Sequence, residues 1–217
     1  MEKTLNTLTN EERLFVSAIH QEIFNRIFPT IRHDLVGYLS ASLMRVSIMD
    51  RYLNKQDVLP NLLKHELIKI DTQLRSSIVE IRALEFWDFE SKQNDNSNDV
   101  LIKSVQLMTT QLAMKNIKLN IIPEEIDASN EVVTKPFLYC LLCTLCYIED
   151  KNFDNKDLLI RHTANSIEIV IDPKEMITGT TFMKSRNLTI SKEVAMKFIN
   201  LHDMKMSFNN EDIKLTW

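Results

Sequence analysis

Residues 19–46 read Ile19-His-Gln-Glu-Ile-Phe-Asn-Arg-Ile-Phe-Pro-Thr-Ile-Arg-His-Asp-Leu-Val-Gly-Tyr-Leu-Ser-Ala-Ser-Leu-Met-Arg-Val46. Apolar residues recur at Ile19, Ile23, Ile27, Ile31, Leu35, Leu39, Leu43 and Val46, in steps of three or four. That spacing lays one apolar stripe along an α-helix. Pro29 stands inside the run, and its ring is expected to interrupt and kink the helix by displacing the carbonyl one turn back. Upstream, Thr9-Asn10-Glu11-Glu12 has the pattern of an N-terminal capping box, with a hydroxyl for the first amides and an acid three residues on. Downstream, Asn54-Lys-Gln-Asp-Val-Leu-Pro60 contains a turn. A second helix follows, with Leu63, Leu67, Ile70, Leu74, Ile78, Ile81 and Leu84 as its apolar stripe. At about 1.5 Å per residue the first helix extends on the order of 60 Å. Two such helices enclose too little interior to be stable alone. Pairing two hairpins into a four-helix bundle is the usual solution, so residues 1–91 are expected to form a homodimerising hairpin.

Residues 91–99, Ser-Lys-Gln-Asn-Asp-Asn-Ser-Asn-Asp, read as a polar linker. The remainder, 99–217, has an α/β pattern. Helices are expected at Val100–Lys115, Thr134–Glu149 and Ser191–Leu201. Strands are expected at Ile117–Ile122, Leu158–Arg161, Ser166–Asp172, Lys205–Phe208 and Lys214–Trp217. The fold class is therefore α+β, a helical hairpin followed by an α/β domain.

Composition narrows the function. The chain has 217 residues, 44% of them hydrophobic and 26% charged, an ordinary balance for a globular protein. A formal net charge of -4 speaks against a general nucleic-acid binder. No apolar run reaches the roughly 18 residues of a membrane span. The first residues, Met1-Glu-Lys-Thr-Leu-Asn, are unlike a signal peptide, and a cytoplasmic location without membrane contact is expected. Only two glycines exist, Gly37 and Gly179. A glycine-rich loop wrapped around phosphates is thus out of reach.

Cys140, Cys143 and Cys146 have a spacing that superficially suggests a metal centre, but they lie in an apolar helix. No fourth cysteine and no nearby histidine completes the set, so buried core is the expected role and no metal is expected. Five histidines are present: His20, His33, His65, His162 and His202. His33 is set apart by its phase. Ile31 and Leu35 lie about 200° away around the helix, so His33 points opposite the apolar stripe. Arg26, Thr30, His33, Gly37 and Ser40 form a stripe of their own, with small residues beyond the imidazole. Asp34 follows directly and could orient the ring or accept its proton. From phase alone, a solvent-facing histidine of no consequence is the commoner case.

Pro29-Thr-Ile-Arg-His33-Asp34-Leu35-Val-Gly-Tyr-Leu39-Ser-Ala41 resembles the phosphoacceptor box of bacterial two-component histidine kinases, which lies on the first helix of a dimeric hairpin. The order of elements in the second half is similar to the ATP-binding domain that follows in that family. Val100-Leu-Ile-Lys-Ser-Val-Gln-Leu resembles its first helix, and Phe137–Ile148 the helix that carries a magnesium-binding asparagine. Asn187-Leu-Thr-Ile-Ser-Lys-Glu-Val-Ala-Met-Lys-Phe-Ile-Asn-Leu-His202 resembles its last helix, which often ends Leu-His-Gly-Gly.

The departures are as informative. Thr144 stands about where the asparagine belongs. Asp172-Pro-Lys-Glu-Met-Ile keeps an aspartate but lacks Asp-x-Gly-x-Gly, and Gly179-Thr-Thr-Phe-Met-Lys-Ser-Arg-Asn replaces the glycine-rich lid. Autophosphorylation with ATP is not expected of such a sequence.

The resemblance implies a dimeric histidine phosphotransferase with a degenerate kinase-type α/β sandwich. It would relay a phosphoryl group through His33 between receiver-domain aspartates. Partners would be response-regulator receivers or a hybrid histidine kinase, with no cofactor of its own because the receiver supplies magnesium. His33 would be the phosphoacceptor, Asp34 its orienting base, and Arg32 a counter-charge for phosphate; Arg26 could add to that charge, but a solvated place on the helix surface is the expected role for it. Thr30, Gly37 and Ser40 would form the docking surface. Gly37, four residues after the histidine, cannot position a water, which disfavours a dedicated phosphatase. The alternative is a non-catalytic pseudo-kinase scaffold that binds a kinase or response regulator.

Overall fold

The computed structural model describes residues 8–54, 60–85, 94–122, 131–151, 157–163, 165–171, 189–209 and 212–217. Helix α1 spans Asn10–Leu53, 44 residues, and α2 spans Pro60–Glu85. Then come β1 (Asn94–Asn96), α3 (Ser97–Ala113), β2 (Lys118–Ile122), β3 (Glu131–Val133) and α4 (Thr134–Asp150). Strands β4 (Asp157–Thr163) and β5 (Ser166–Ile171), α5 (Lys192–Leu201), β6 (Lys205–Asn209) and β7 (Asp212–Thr216) complete the chain. A helical hairpin is followed by an α/β sheet unit, as the periodicity implies.

The capping box at the start of α1 is formed. Glu12 Oε2 accepts from the Thr9 amide at 2.8 Å, and Thr9 Oγ1 accepts from the Glu12 amide at 3.2 Å. Contrary to the expected interruption, α1 continues through Pro29. The turn and linker segments at 55–59 and 91–93 lie outside the described residues, as do Asp172 and Gly179.

Five strands form one sheet in the order β2-β4-β5-β7-β6. β2 runs parallel to β4, and the other neighbours are antiparallel. Alternation along the strands sends Leu158, Ile160 and His162 of β4, and Ile213 and Leu215 of β7, to the covered face. Helix α4 is the centre of the packing. Phe137 through Glu149 are buried without a break, so α4 has no solvent stripe, and it contacts both α3 and α5. This explains its unbroken apolar sequence.

The expected linker is partly structured. Asn94–Asn96 pairs antiparallel with Glu131–Val133, and Asn96 caps α3 through a bond from the Asn98 amide to its side chain at 2.8 Å. Short polar side chains in this stretch serve as a cap and a strand edge as well as turn formers. Two helix ends use the left-handed conformation without glycine: Asn116 after α3 (φ 56°) and Asp203 after α5 (φ 58°). Asp203 is the residue that follows Leu201-His202, where glycine would ordinarily close the helix.

The chain forms two compact units, one comprising residues 1–27 with 92–217 and the other Phe28–Ser91. The apolar stripe of α1 therefore serves two surroundings. Val16, Ile19, Ile23 and Ile27 are buried within the α/β unit, whereas Leu39, Leu43 and Val46 stand exposed on the hairpin. Periodicity reports that a helix face is apolar, and not which neighbour covers it.

Candidate functional site

His33 lies on the hairpin part of α1, and its side chain is 79% exposed. Its Nδ1 is 3.0 Å from Asp34 Oδ1. An ionised carboxylate can only accept, so this contact selects the tautomer with hydrogen on Nδ1 and a lone pair on Nε2. The exposed nitrogen is then the nucleophilic one. Arg32 is exposed beside it, Thr30 is half-buried, and Gly37 and Ser40 are exposed. A methyl group built on Gly37 would meet nothing within 4 Å, so nothing in this chain's own packing requires glycine there. The structure brings His33, Asp34, Arg32, Gly37 and Ser40 to one accessible stretch of helix.

Arg26 does not belong to that stretch, and both roles considered for it are corrected. It is only 6% exposed. Its Nε donates to Glu22 Oε1 at 2.8 Å, Nη1 to Glu149 Oε2 at 3.2 Å, and Nη2 to Asp150 Oδ2 at 2.7 Å. Burial alone would lower its pKa, but the bonds to Asp150 and Glu22 prevail and hold the guanidinium above its ordinary range. Glu149 in turn accepts from Gln111, and Asp150 Oδ2 also accepts from the Ile190 amide just ahead of α5. The cation ties α1 to α4 and is not available to a phosphate. Helical phase could not reveal this, because a helix enclosed by its own unit buries more than one face.

The other histidines sort themselves by surroundings. His162 is buried, with Nε2 3.1 Å from Ser97 Oγ and its ring beside Trp217. His20 stacks on Tyr139 at 3.8 Å between centroids and lies 6.1 Å from His202, which also meets Phe198. Burial pushes His20 down to about 3, helped by His202, and pushes His202 down to about 4, against the pull of Asp203. Both rings are thus neutral in the folded state. The unfolded chain takes up these protons near 6.5, so stability falls as the pH drops from about 6.5 toward 3. Urea midpoints measured between pH 7 and pH 4 should fall less for His20→Phe than for the wild type. An equal fall in both would show that the ring is not held neutral.

His65 is the one histidine that sequence reading passed over although its setting resembles that of His33. Its side chain is 60% exposed, and its Nδ1 is 3.4 Å from Glu66 Oε1. The difference lies in the carboxylate. Glu66 is bound by Arg45 at 2.9 Å and lies 3.5 Å from Lys69. Arg45 is the leading cause that holds its carboxyl below the usual range. A carboxylate already satisfied by cations orients an imidazole weakly.

The remaining candidates are structural. Thr144 is buried, and its hydroxyl donates to the Cys140 carbonyl at 2.8 Å, so it is spent within α4. Cys140, Cys143 and Cys146 are buried free thiols, and burial raises the pKa of Cys140 and Cys143. Among the described residues no group of three His, Cys, Asp or Glu is placed to hold a metal ion. None of the described helices is long and apolar enough to cross a membrane.

No family model matches the sequence, and no curated protein matches it. Solved structures with some likeness include the cytoplasmic segment of histidine kinase QseC, at 12% identity and a TM-score of 0.41, covering 66% of this chain and 92% of that one. Acinetobacter baumannii histidine kinase AdeS is 11% identical with a TM-score of 0.37, covering 84% and 95%. Histidine kinase ThkA in complex with response regulator protein TrrA is 13% identical with a TM-score of 0.36, covering 90% and 61%.

Proposed function

We propose that this protein is a two-component phosphorelay intermediate that accepts a phosphoryl group on His33 and passes it on, without using ATP itself. One observation carries the reading: an exposed imidazole whose Nδ1 is bonded to Asp34 at 3.0 Å, leaving Nε2 outward as a nucleophile. The donor and acceptor would be aspartyl phosphates on receiver domains of response regulators or a hybrid kinase.

The transfer needs little from this chain. Nε2 attacks phosphorus while the bond to the receiver's aspartate oxygen breaks, and that carboxylate leaves with the electron pair. Asp34 stabilises the positive charge that develops on the ring, and Arg32 offsets charge on the phosphoryl oxygens. The receiver supplies magnesium. Thr30, Gly37 and Ser40 leave room for close approach, and the exposed leucines of α1 and α2 are the surface on which a second copy would complete a four-helix bundle.

The test is phosphoryl transfer from a panel of phosphorylated receivers to the wild type, His33→Ala and His65→Ala. Acid-labile, base-stable label is expected on the wild type and on His65→Ala, with loss of at least a hundredfold in His33→Ala. Label that disappears with His65 instead would overturn the assignment. No label from any receiver would leave a binding scaffold as the better account.

A further inference from the structure

We propose that Gly37 is a specificity-determining residue, the point on α1 where an arriving receiver domain lies directly against helix backbone. The inference rests on the phosphorelay reading of His33 and names where the partner sits. Glycine is scarce in this chain, with two in 217 residues. It is omitted even where backbone conformation favours it, since Asn116 and Asp203 take the left-handed positions after α3 and α5 with φ of 56° and 58°. Gly37 stands instead in the interior of α1, without a positive φ. Glycine is among the poorest residues for a helix interior, because it has the most backbone freedom to lose. Conformation gives no reason for it there.

Packing gives none either. A Cβ built on Gly37 meets nothing within 4 Å among the described residues. What the position does have is a neighbour with chemistry. His33, its side chain 79% exposed, lies four residues earlier. That separation is about 6 Å along the helix axis and about 40° around it. A receiver that brings an aspartyl phosphate to Nε2 rests part of its surface one turn away on the same face. At residue 37 that surface meets backbone, with no side chain to hold it off, and this sets how closely phosphorus approaches the imidazole. A second copy of this chain is not what comes so close. The apolar stripe at Leu35 and Leu39, where a second hairpin would pack, lies about 200° around the helix from Gly37.

The test compares the full-length wild type with Gly37→Ala and Gly37→Leu. Both side chains enter open space, and Gly37→Ala is expected to raise the melting temperature by about 2–4 °C. Labelling of His33 is measured with the phosphorylated receivers that label the wild type and, separately, with phosphoramidate, a donor too small to use a docking surface. The ratio of receiver-dependent to phosphoramidate-dependent rate is expected to fall about tenfold for alanine and about a hundredfold for leucine. A glycine that only loosens the helix would leave this ratio unchanged, and an unchanged ratio overturns the proposal. A lower melting temperature for Gly37→Ala overturns it as well, because the chain's own fold would then need the glycine. Weaker self-association of Gly37→Leu would give the position to a second copy instead, which also overturns it. A wild type that accepts nothing from any receiver would overturn the phosphorelay reading itself, and this inference with it, so the two failures are told apart.

Discussion

Arg26→Met is expected to destabilise the α/β unit by about 3–5 kcal/mol, the cost of leaving buried charge uncompensated. Glu149 is fully buried, and Asp150 has a side-chain exposure of only 5%. With the guanidinium gone, Lys115 Nζ still lies 3.9 Å from Glu149 Oε1. Urea denaturation, followed by far-ultraviolet circular dichroism, measures the destabilisation. Adding Asp150→Asn should recover part of the loss by removing one stranded charge. A loss below 1 kcal/mol would mean that water reaches the cluster.

Leu39→Asp and Leu43→Asp are each expected to raise the dissociation constant of a homodimer more than a hundredfold. Leu43 is 69% exposed in the single chain and Leu39 42%, and Ile78 and Ile81 of α2 are similarly bare. The seam within the hairpin is, by contrast, partly polar. Arg45 pairs with Glu66 at 2.9 Å, and Ser42 donates to Gln73 at 3.3 Å. The hairpin thus spends polar groups inside and leaves apolar ones outside, which is the arrangement of half a bundle. Burying an aspartate at such a seam costs several kcal/mol, and each 1.4 kcal/mol is tenfold in affinity. Leu35→Asp, at a half-buried position on the same stripe, should act alike. Ser40→Asp, on the His33 side, should leave association unchanged. Sedimentation equilibrium across a concentration series distinguishes these outcomes. A wild type that stays monomeric at all concentrations would remove the bundle from the account.

Much of the architecture was legible because local physics set it. The capping box of Thr9 and Glu12 is written in four residues and forms as written. Ser191 likewise caps α5 through the Val194 amide at 3.3 Å. The alternation Ile167, Ile169 marks β5, and the unbroken apolar run of α4 marks a helix buried on all sides. The outward direction of His33 followed from helical phase and is what its exposure shows.

What escaped was everything that depends on a second element. Arg26 and His33 share a stripe in sequence, yet one is enclosed by carboxylates of α4 and the other is open. The strand at Asn94–Asn96 exists because residues 131–133 lie alongside it, and no propensity in Asn-Asp-Asn announces that. His20 and His202 are 182 positions apart and meet only in the folded unit. The sequence by itself determined the helices and the five strands of the main sheet, which residues are apolar, and that an imidazole with an adjacent acid faces away from the apolar stripe. The tertiary structure alone decided that one continuous helix is shared between two units, and that Arg26 on it is held by Asp150. Periodicity encodes a direction around an axis. What waits in that direction is a property of the whole fold.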